Sequence, residues 1–284
     1  MHTYDSRLAM IGALRRANSA NSTVFAFEKN AALMLLLTGH KFHPYLMSQA
    51  SQDALHGRFK RRLSRLLMGR CDLVVANSRE AMRFAQTQYD LDEDRVVVLD
   101  PVVAESWIRK VSEPAPHPDQ NLVGMVGNWR PEKRYDLACD VLAQLPSRYR
   151  LRIYTNKSEP VVDLFQSRGL LHRLEVVEGQ LTTPSTYDQF GCLLHTAEFE
   201  SIPRSILEAR ARGCPVAAFS SGSIAEYVPA AVAFGDTRTL AAQVMDMTAN
   251  KLQNEARVGN GVTTPSEYRQ ALELLLSELE GHAS

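Results

Sequence analysis

The sequence has little of what would place it outside ordinary globular chemistry. Its four cysteines, Cys71, Cys139, Cys192 and Cys214, are scattered and lack metal-ligand spacing. That excludes a disulfide scaffold and a cysteine-built zinc site, and reads as reduced core thiols in a cytoplasmic chain. No apolar run is long enough to span a bilayer. The longest, AALMLLL at 31–37, is too short and follows no signal-like start. There is no basic stripe with interleaved aromatics, which argues against duplex nucleic acid as a partner. There is no internal repeat, no low-complexity tract and no net charge, since 32 Lys+Arg balance 32 Asp+Glu.

What is present is unevenly spread. Residues 1–112 hold 16 Lys+Arg and 11 Asp+Glu, a net of +5, while the rest of the 284-residue chain holds 16 and 21, a net of −5. A basic half joined to an acidic half implies different partners for the two. Between them lies SEPAPHPDQ (112–120), rich in proline and polar residues, which reads as a linker over 113–120. The implied layout is an N-terminal domain over 1–112, a C-terminal domain over 121–264 and a final helix over 265–284.

Apolar periodicity alternates strand and helix on both sides of that linker. TVFAF (23–27), YLMSQAS (45–51), CDLVVANS and RVVVLDPVV read as strands of the first half. The first 20 residues, 31–37, DALHGRFKRRLSRLLMGR (53–70) and REAMRFAQTQY read as its helices. After the linker, LVGMVGN, YRLRIYTN, RLEVVEG, GCLLHTA, PVAAFS and AVAFGD are strand-like, with helical patterns between them. This predicts an α/β chain of two parallel-sheet domains, with ligand at the carboxyl ends of the strands in a cleft between domains.

Three strand exits carry chemistry. In VGMVGNWRPEKRYDL (123–137) a strand runs into Gly127, and a loop with Arg130 and Lys133 opens a helix. Such an arrangement suits a phosphate or diphosphate. It also reads as a charged first helical turn begun by Pro131. AEFESIPRSILEARARGCPV (197–216) sets Glu200 in a loop and Glu208 inside a helix whose first residue is Pro203. There Arg204, Glu208 and Arg212 can form a surface ladder, or the two carboxylates can serve one ligand. FSSGSIAEYV (219–228) offers backbone N–H groups to phosphate oxygens, or is simply a Ser/Gly turn. The eight histidines, His195 in a strand among them, form no cluster and read as structural or surface residues.

These residues resemble the nucleotide-sugar-binding half of a GT-B glycosyltransferase, in the retaining class numbered family four. The family pattern of a Val-Gly step before PEKG, two glutamates before G-x-PVV, and GG-x-x-E corresponds here to VGNWRPEKRYDL, HTAEFESIPRSILEARARGCPVAAF and GSIAE. The resemblance implies two Rossmann-like domains with parallel sheets facing a cleft. It implies that Lys133 binds the donor diphosphate and that Arg130 supplies the charge the family carries where Asn128 stands. Glu208 would take the ribose and Glu200 would face the donor sugar. Gly127, Ser201, Ile202, Pro203, Gly222, Ser223 and Ile224 would line the same site. The implied reaction moves a sugar, with retention, from a nucleotide-diphosphate donor such as a UDP- or GDP-sugar to a glycan, lipid-linked or small-molecule acceptor. Neither a metal nor a cofactor is expected, nor is a covalent nucleophile on the protein.

The first half resembles the family less. The strand TVFAF leads to Glu28 where the family carries an acceptor-side histidine, so Glu28 is a candidate base or acceptor contact, or a helix cap. Only about 20 residues precede that strand, which implies an incomplete N-terminal domain. A non-catalytic nucleotide-sugar-binding remnant or partner subunit is therefore the alternative, and a sugar-nucleotide epimerase a further one. Arg58, Lys60, Arg61, Arg62, Arg65 and Arg70 crowd the 53–70 helix beside an apolar face. That fits either a solvated basic side or contact with an anionic membrane on its inner face.

Overall fold

The structure is a computed structural model. It describes residues 25–27, 43–46, 62, 65, 73–110, 112–113, 117–200, 202–249 and 262–281. Its contacts divide the chain into two units, Met1–Pro101 and Val102–Ser284. The division falls ahead of the 113–120 segment because the residues just after 101 are bonded into the second unit. Val102 bridges Thr263, and the Arg109 N–H donates to the Ala211 carbonyl at 2.9 Å.

The first unit holds a parallel sheet in the order β1 (Phe25–Phe27), β2 (His43–Leu46), β3 (Val74–Ala76), β4 (Val96–Val98). Helix α1 (Arg79–Tyr89) lies against β3 and β4. Its buried Ala81, Ala85 and Tyr89 recur every four residues, which puts one apolar stripe on the sheet. Ser78 starts the helix by accepting from the Ala81 N–H at 3.1 Å. Strand β2 begins two residues before the expected 45–51 segment, at His43, and 47–51 lies outside the described residues. So do the expected helices over the first 20 residues, 31–37 and 53–70, apart from Arg62 and Arg65, which are helical and exposed.

The second unit holds six parallel strands: β5 (Asp119–Val126), β6 (Arg150–Thr155), β7 (Leu174–Glu178), β8 (Phe190–His195), β9 (Val216–Ser220) and β10 (Val232–Ala233). Between and after them come α2 (Tyr135–Gln144), α3 (Glu159–Ser167), α4 (Pro184–Asp188), α5 (Arg204–Ala211), α6 (Ile224–Tyr227), α7 (Thr237–Ala249) and α8 (Pro265–Gly281). Strand β10 keeps two residues of the expected AVAFGD run, because Gly235 turns the chain with φ 87°. Strands β5, β8 and β9 feed both layers by their alternation. Val123, Met125, Cys192, Leu194, Ala217 and Phe219 join one core with α2, α3 and α7. Leu122, Leu193, Val216 and Ala218 join the other with α4, α5 and α6. Phe190 packs flat on β5, where a Cβ on Gly124 would come within 2.2 Å of its ring.

The strand order is β10-β9-β8-β5-β6-β7. It runs outward in both directions from the β5/β8 pair, so the connections leave that pair on opposite faces of the sheet. The crevice beyond the carboxyl ends of β5 and β8 is the switch point at which parallel α/β sheets take their ligands. Among the described residues no helix is long and apolar enough to cross a membrane.

Candidate functional site

Three loops leave the sheet at the switch point and are laced together by main-chain atoms. The first follows β5. The Gly127 N–H donates to the Tyr154 carbonyl at 3.0 Å, and the Tyr135 hydroxyl donates to the Gly127 carbonyl at 2.6 Å. An added Cβ on Gly127 would touch the Lys133 stem at 3.5 Å, an ordinary contact. Pro131–Lys133 is a single 3₁₀ turn. The expected helix opening at PEKR is displaced by this turn, because Arg134 adopts a left-handed conformation (φ 50°) and α2 starts only at Tyr135. A side-chain-bearing residue in that region costs roughly 1–2 kcal/mol. Arg134 offsets the cost with a two-pronged bond to Asp136 at 3.0 and 2.7 Å and by lying over the Phe234 ring.

The second loop follows β8. The Thr196 hydroxyl donates to the Lys133 carbonyl at 2.9 Å, and the Glu198 N–H to the Glu132 carbonyl at 2.8 Å. These two bonds set Lys133 opposite Glu200. The Lys133 ammonium pairs with Glu200 Oε1 although 67 residues separate them, and both side chains are mostly shielded, at 18% and 15% exposure. Burial lowers the Lys133 pKa to about 8; Glu132 opposes the shift and Arg130 adds to it. The Glu200 carboxylate in contact favours the charged amine, so Lys133 is an ammonium at neutral pH.

The third loop follows β9. The Ser221 hydroxyl donates to the Ala197 carbonyl at 2.8 Å, and the Ser223 N–H and hydroxyl both donate to the Glu200 carbonyl at 3.2 Å. Gly222 stands at φ 51°, and a Cβ there would come within 2.5 Å of that carbonyl. Ser223 is therefore the clamp on Glu200's backbone, and Ile224 lies fully buried in the core.

Pro203 is not the first helical residue. Its ψ of 72° is non-helical, and its carbonyl accepts from the Ile206 and Leu207 N–H groups at 2.9 and 3.0 Å, so it caps α5, which begins at Arg204. Glu208, inside α5, accepts from the Tyr187 hydroxyl at 2.7 Å. Burial raises its pKa, opposed by that bond and by Arg204. Only one rung of the arginine ladder forms. Arg204 pairs with Glu208 at 3.9 Å, while Arg212 turns away to Asp188 and Glu113 at 2.8 and 3.0 Å.

The structure thus gathers Gly127, Lys133, Glu200, Gly222 and Ser223 at one switch point. Asn128 and Arg130 are exposed on the same β5 loop, with Arg130 at 3.7 Å from Glu132. Ile202 is half-buried beside the cap. Glu28 and Ser201 lie outside the described residues. Sequence reasoning missed His195, the last residue of β8, whose Nε2 lies 3.7 Å from Glu200 Oε1; a strand-end histidine five residues before a candidate glutamate was the available signal. Cys139, Cys192 and Cys214 are buried, and Cys71 lies outside the described residues. No three His, Cys, Asp or Glu side chains cluster as a metal site among the described residues.

A cation held against a carboxylate at an open strand edge suits an anionic ligand with a hydroxylated part. A sequence model of the family described as glycosyl transferases group 1 matches residues 108–259, just over half the chain. Among solved structures, Anabaena Alr3699/HepE in complex with UDP and glucose superposes with a TM-score of 0.78 at 17% identity, covering 96% of this chain and 82% of that one. A glycosyltransferase from Rickettsia africae gives 0.73 at 15%, over 96% and 83% of the two chains. Sucrose-phosphate synthase from Thermosynechococcus elongatus gives 0.79 at 14%, over 98% and 78%. At such identities the likeness is one of fold, an α/β chain of the GT-B type. No curated protein sequence matches significantly.

Proposed function

The chain belongs to the glycosyl transferases group 1, and from that premise we propose that it moves a sugar, with retention, from a nucleoside diphosphate to an acceptor hydroxyl. The observation that carries this reading is the Lys133–Glu200 pair at the β5/β8 switch point. In it Lys133 bonds the donor diphosphate, joined by the exposed Arg130 and the amino end of α5. These cations take up the negative charge that grows as the sugar leaves, so the proposal needs no metal ion. Glu200 orients the sugar hydroxyls. Glu208, which already accepts from one hydroxyl, accepts from the ribose. The acceptor attacks from the leaving-group face and passes its proton to a phosphate oxygen, so no protein nucleophile is required.

UDP and glucose occupy the Anabaena structure, which makes uridine diphosphate sugars the first donors to try. The acceptor in this reading is a glycan, a lipid-linked glycan or a small molecule. The basic run at 53–70 would let the protein rest on an anionic membrane surface. The test screens UDP, GDP and ADP and their sugars for thermal stabilisation, then assays turnover of the stabilising donor. Stabilisation with sugar transfer supports the proposal. Stabilisation without transfer or hydrolysis replaces it by a non-catalytic binding role. No stabilisation, or stabilisation unchanged in Glu208→Ala, removes the site assignment.

A further inference from the structure

His195 is a polar side chain at the one place in β8 where polarity has a consequence. Every other residue of the strand, Phe190 to Leu194, is buried and apolar or glycine. The His195 side chain is 4% exposed, and Nε2 has no hydrogen-bond partner. Buried polar atoms are almost always partnered, so an orphan beside a ligand site calls for a role. Glu200 Oε1, the oxygen that also meets Lys133, lies 3.7 Å from that nitrogen.

At that distance there is no hydrogen bond, and a closure of about 0.5–1 Å would make one. Nor is the contact an ion pair. Burial lowers the imidazole pKa to about 3, with the Lys133 ammonium adding to the shift. The ring is therefore neutral and carries one proton, which can sit on Nε2 and point at a carboxylate. Two donors, one cationic and one neutral, thus converge on a single oxygen.

We propose that His195 is a positioning residue for Glu200, taking over Oε1 through Nε2–H when Lys133 turns to the donor diphosphate, so that the carboxylate keeps its aim at the sugar. The inference rests on the donor-site reading above. It gives Glu200 a second anchor that costs no additional buried charge, and it leaves Lys133 free to follow the phosphates.

The test uses the full chain with UDP and the UDP-sugar that it turns over. His195→Leu fills the space without a donor, and His195→Gln returns an N–H near the position of Nε2. Expected for His195→Leu is a UDP Kd within about twofold of the parent and a kcat lower by about 10- to 100-fold. Expected for His195→Gln is recovery of most of that kcat. A His195→Leu enzyme with parental kcat, or a His195→Gln enzyme no better than it, overturns the proposal.

A measurement on the unmodified side chain guards against variants that fail to fold. The ¹⁵N spectrum of the histidine rings at pH 7 is expected to show His195 as the neutral Nε2–H form, shifted in Glu200→Gln. A proton on Nδ1, or a resonance indifferent to Glu200, overturns the pairing without any ligand present. A parent protein that binds no nucleoside diphosphate while the resonance responds to Glu200 instead sinks the donor reading alone.

Discussion

Glu200 and Glu208 are the same residue eight positions apart, each about as shielded as the other, at 15% exposure. Their surroundings differ in kind. Glu200 sits in a loop whose backbone is clamped by Ser223 and whose side chain meets an ammonium. Glu208 sits in a helix, and its close partner is the neutral Tyr187 hydroxyl. The first environment fixes a charge-assisted pair that a competing anion can open. The second fixes a hydrogen-bond acceptor whose ionisation burial opposes. The difference separates a carboxylate that trades partners from one that presents a constant surface.

Removing the cation breaks the Glu200 side of that contrast most severely. Lys133→Ala should lower donor turnover by about 100- to 1,000-fold, the scale seen when one transition-state donor is lost. A steady-state assay showing a loss under tenfold would remove Lys133 from the chemistry. On the other side, Glu208→Ala should weaken nucleoside diphosphate binding by about tenfold, near 1.4 kcal/mol, with a smaller change in kcat. Calorimetric titration of both quantities decides it, and an effect confined to kcat would contradict the ribose role.

The two carboxylate environments also predict opposite pH limbs. Lys133, lowered to about 8, loses its proton as pH rises through 8, so donor affinity should fall by up to about tenfold between pH 8 and 9. Glu208, raised above its usual 4.5, gains charge as pH rises through its own pKa, so affinity should climb on the acid side. A Kd profile from pH 5 to 9 that is flat on the alkaline limb would contradict the Lys133 assignment. Tyr187→Phe sharpens the acid limb. It removes the bond that holds the Glu208 pKa down, so that limb should move to higher pH, with affinity at pH 7 weaker by about threefold. The smallest effect belongs to the clamp. Gly222→Ala forces a Cβ into a positive-φ position against the Glu200 carbonyl, and should lower Tm by about 2–6 °C. An unchanged melting curve would show that the β9 loop yields easily.

Much of the second unit was legible because its strands alternate between two buried faces and its helices carry one. Leu122 to Met125 and Val216 to Phe219 read as strands for that reason, and α2 and α3 as helices. The two glutamates were legible through spacing, together with the loops before and after them. What spacing could not carry was pairing at a distance. Lys133 and Glu200 are brought together by the β5–β8 adjacency, and Arg212 is drawn to Asp188 and Glu113 by packing of α4 beside α5 rather than by helical period. Pro203 was placed one residue too deep because proline suits the first helical position in general, while here its ψ leaves it outside. His195 was passed over because a lone histidine in an apolar strand carries no pattern of its own.

The lacing of the three loops has a practical corollary. Thr196 to the Lys133 carbonyl, Glu198 to the Glu132 carbonyl and Ser223 to the Glu200 carbonyl are all bonds to main chain, made by buried or backbone groups. The spacing of Lys133 and Glu200 is thereby held independently of the exposed side chains around them. Asn128, Arg130 and Arg204 stand outside that frame. They are the positions at which a library seeking altered donor choice can be varied with the working distance left intact.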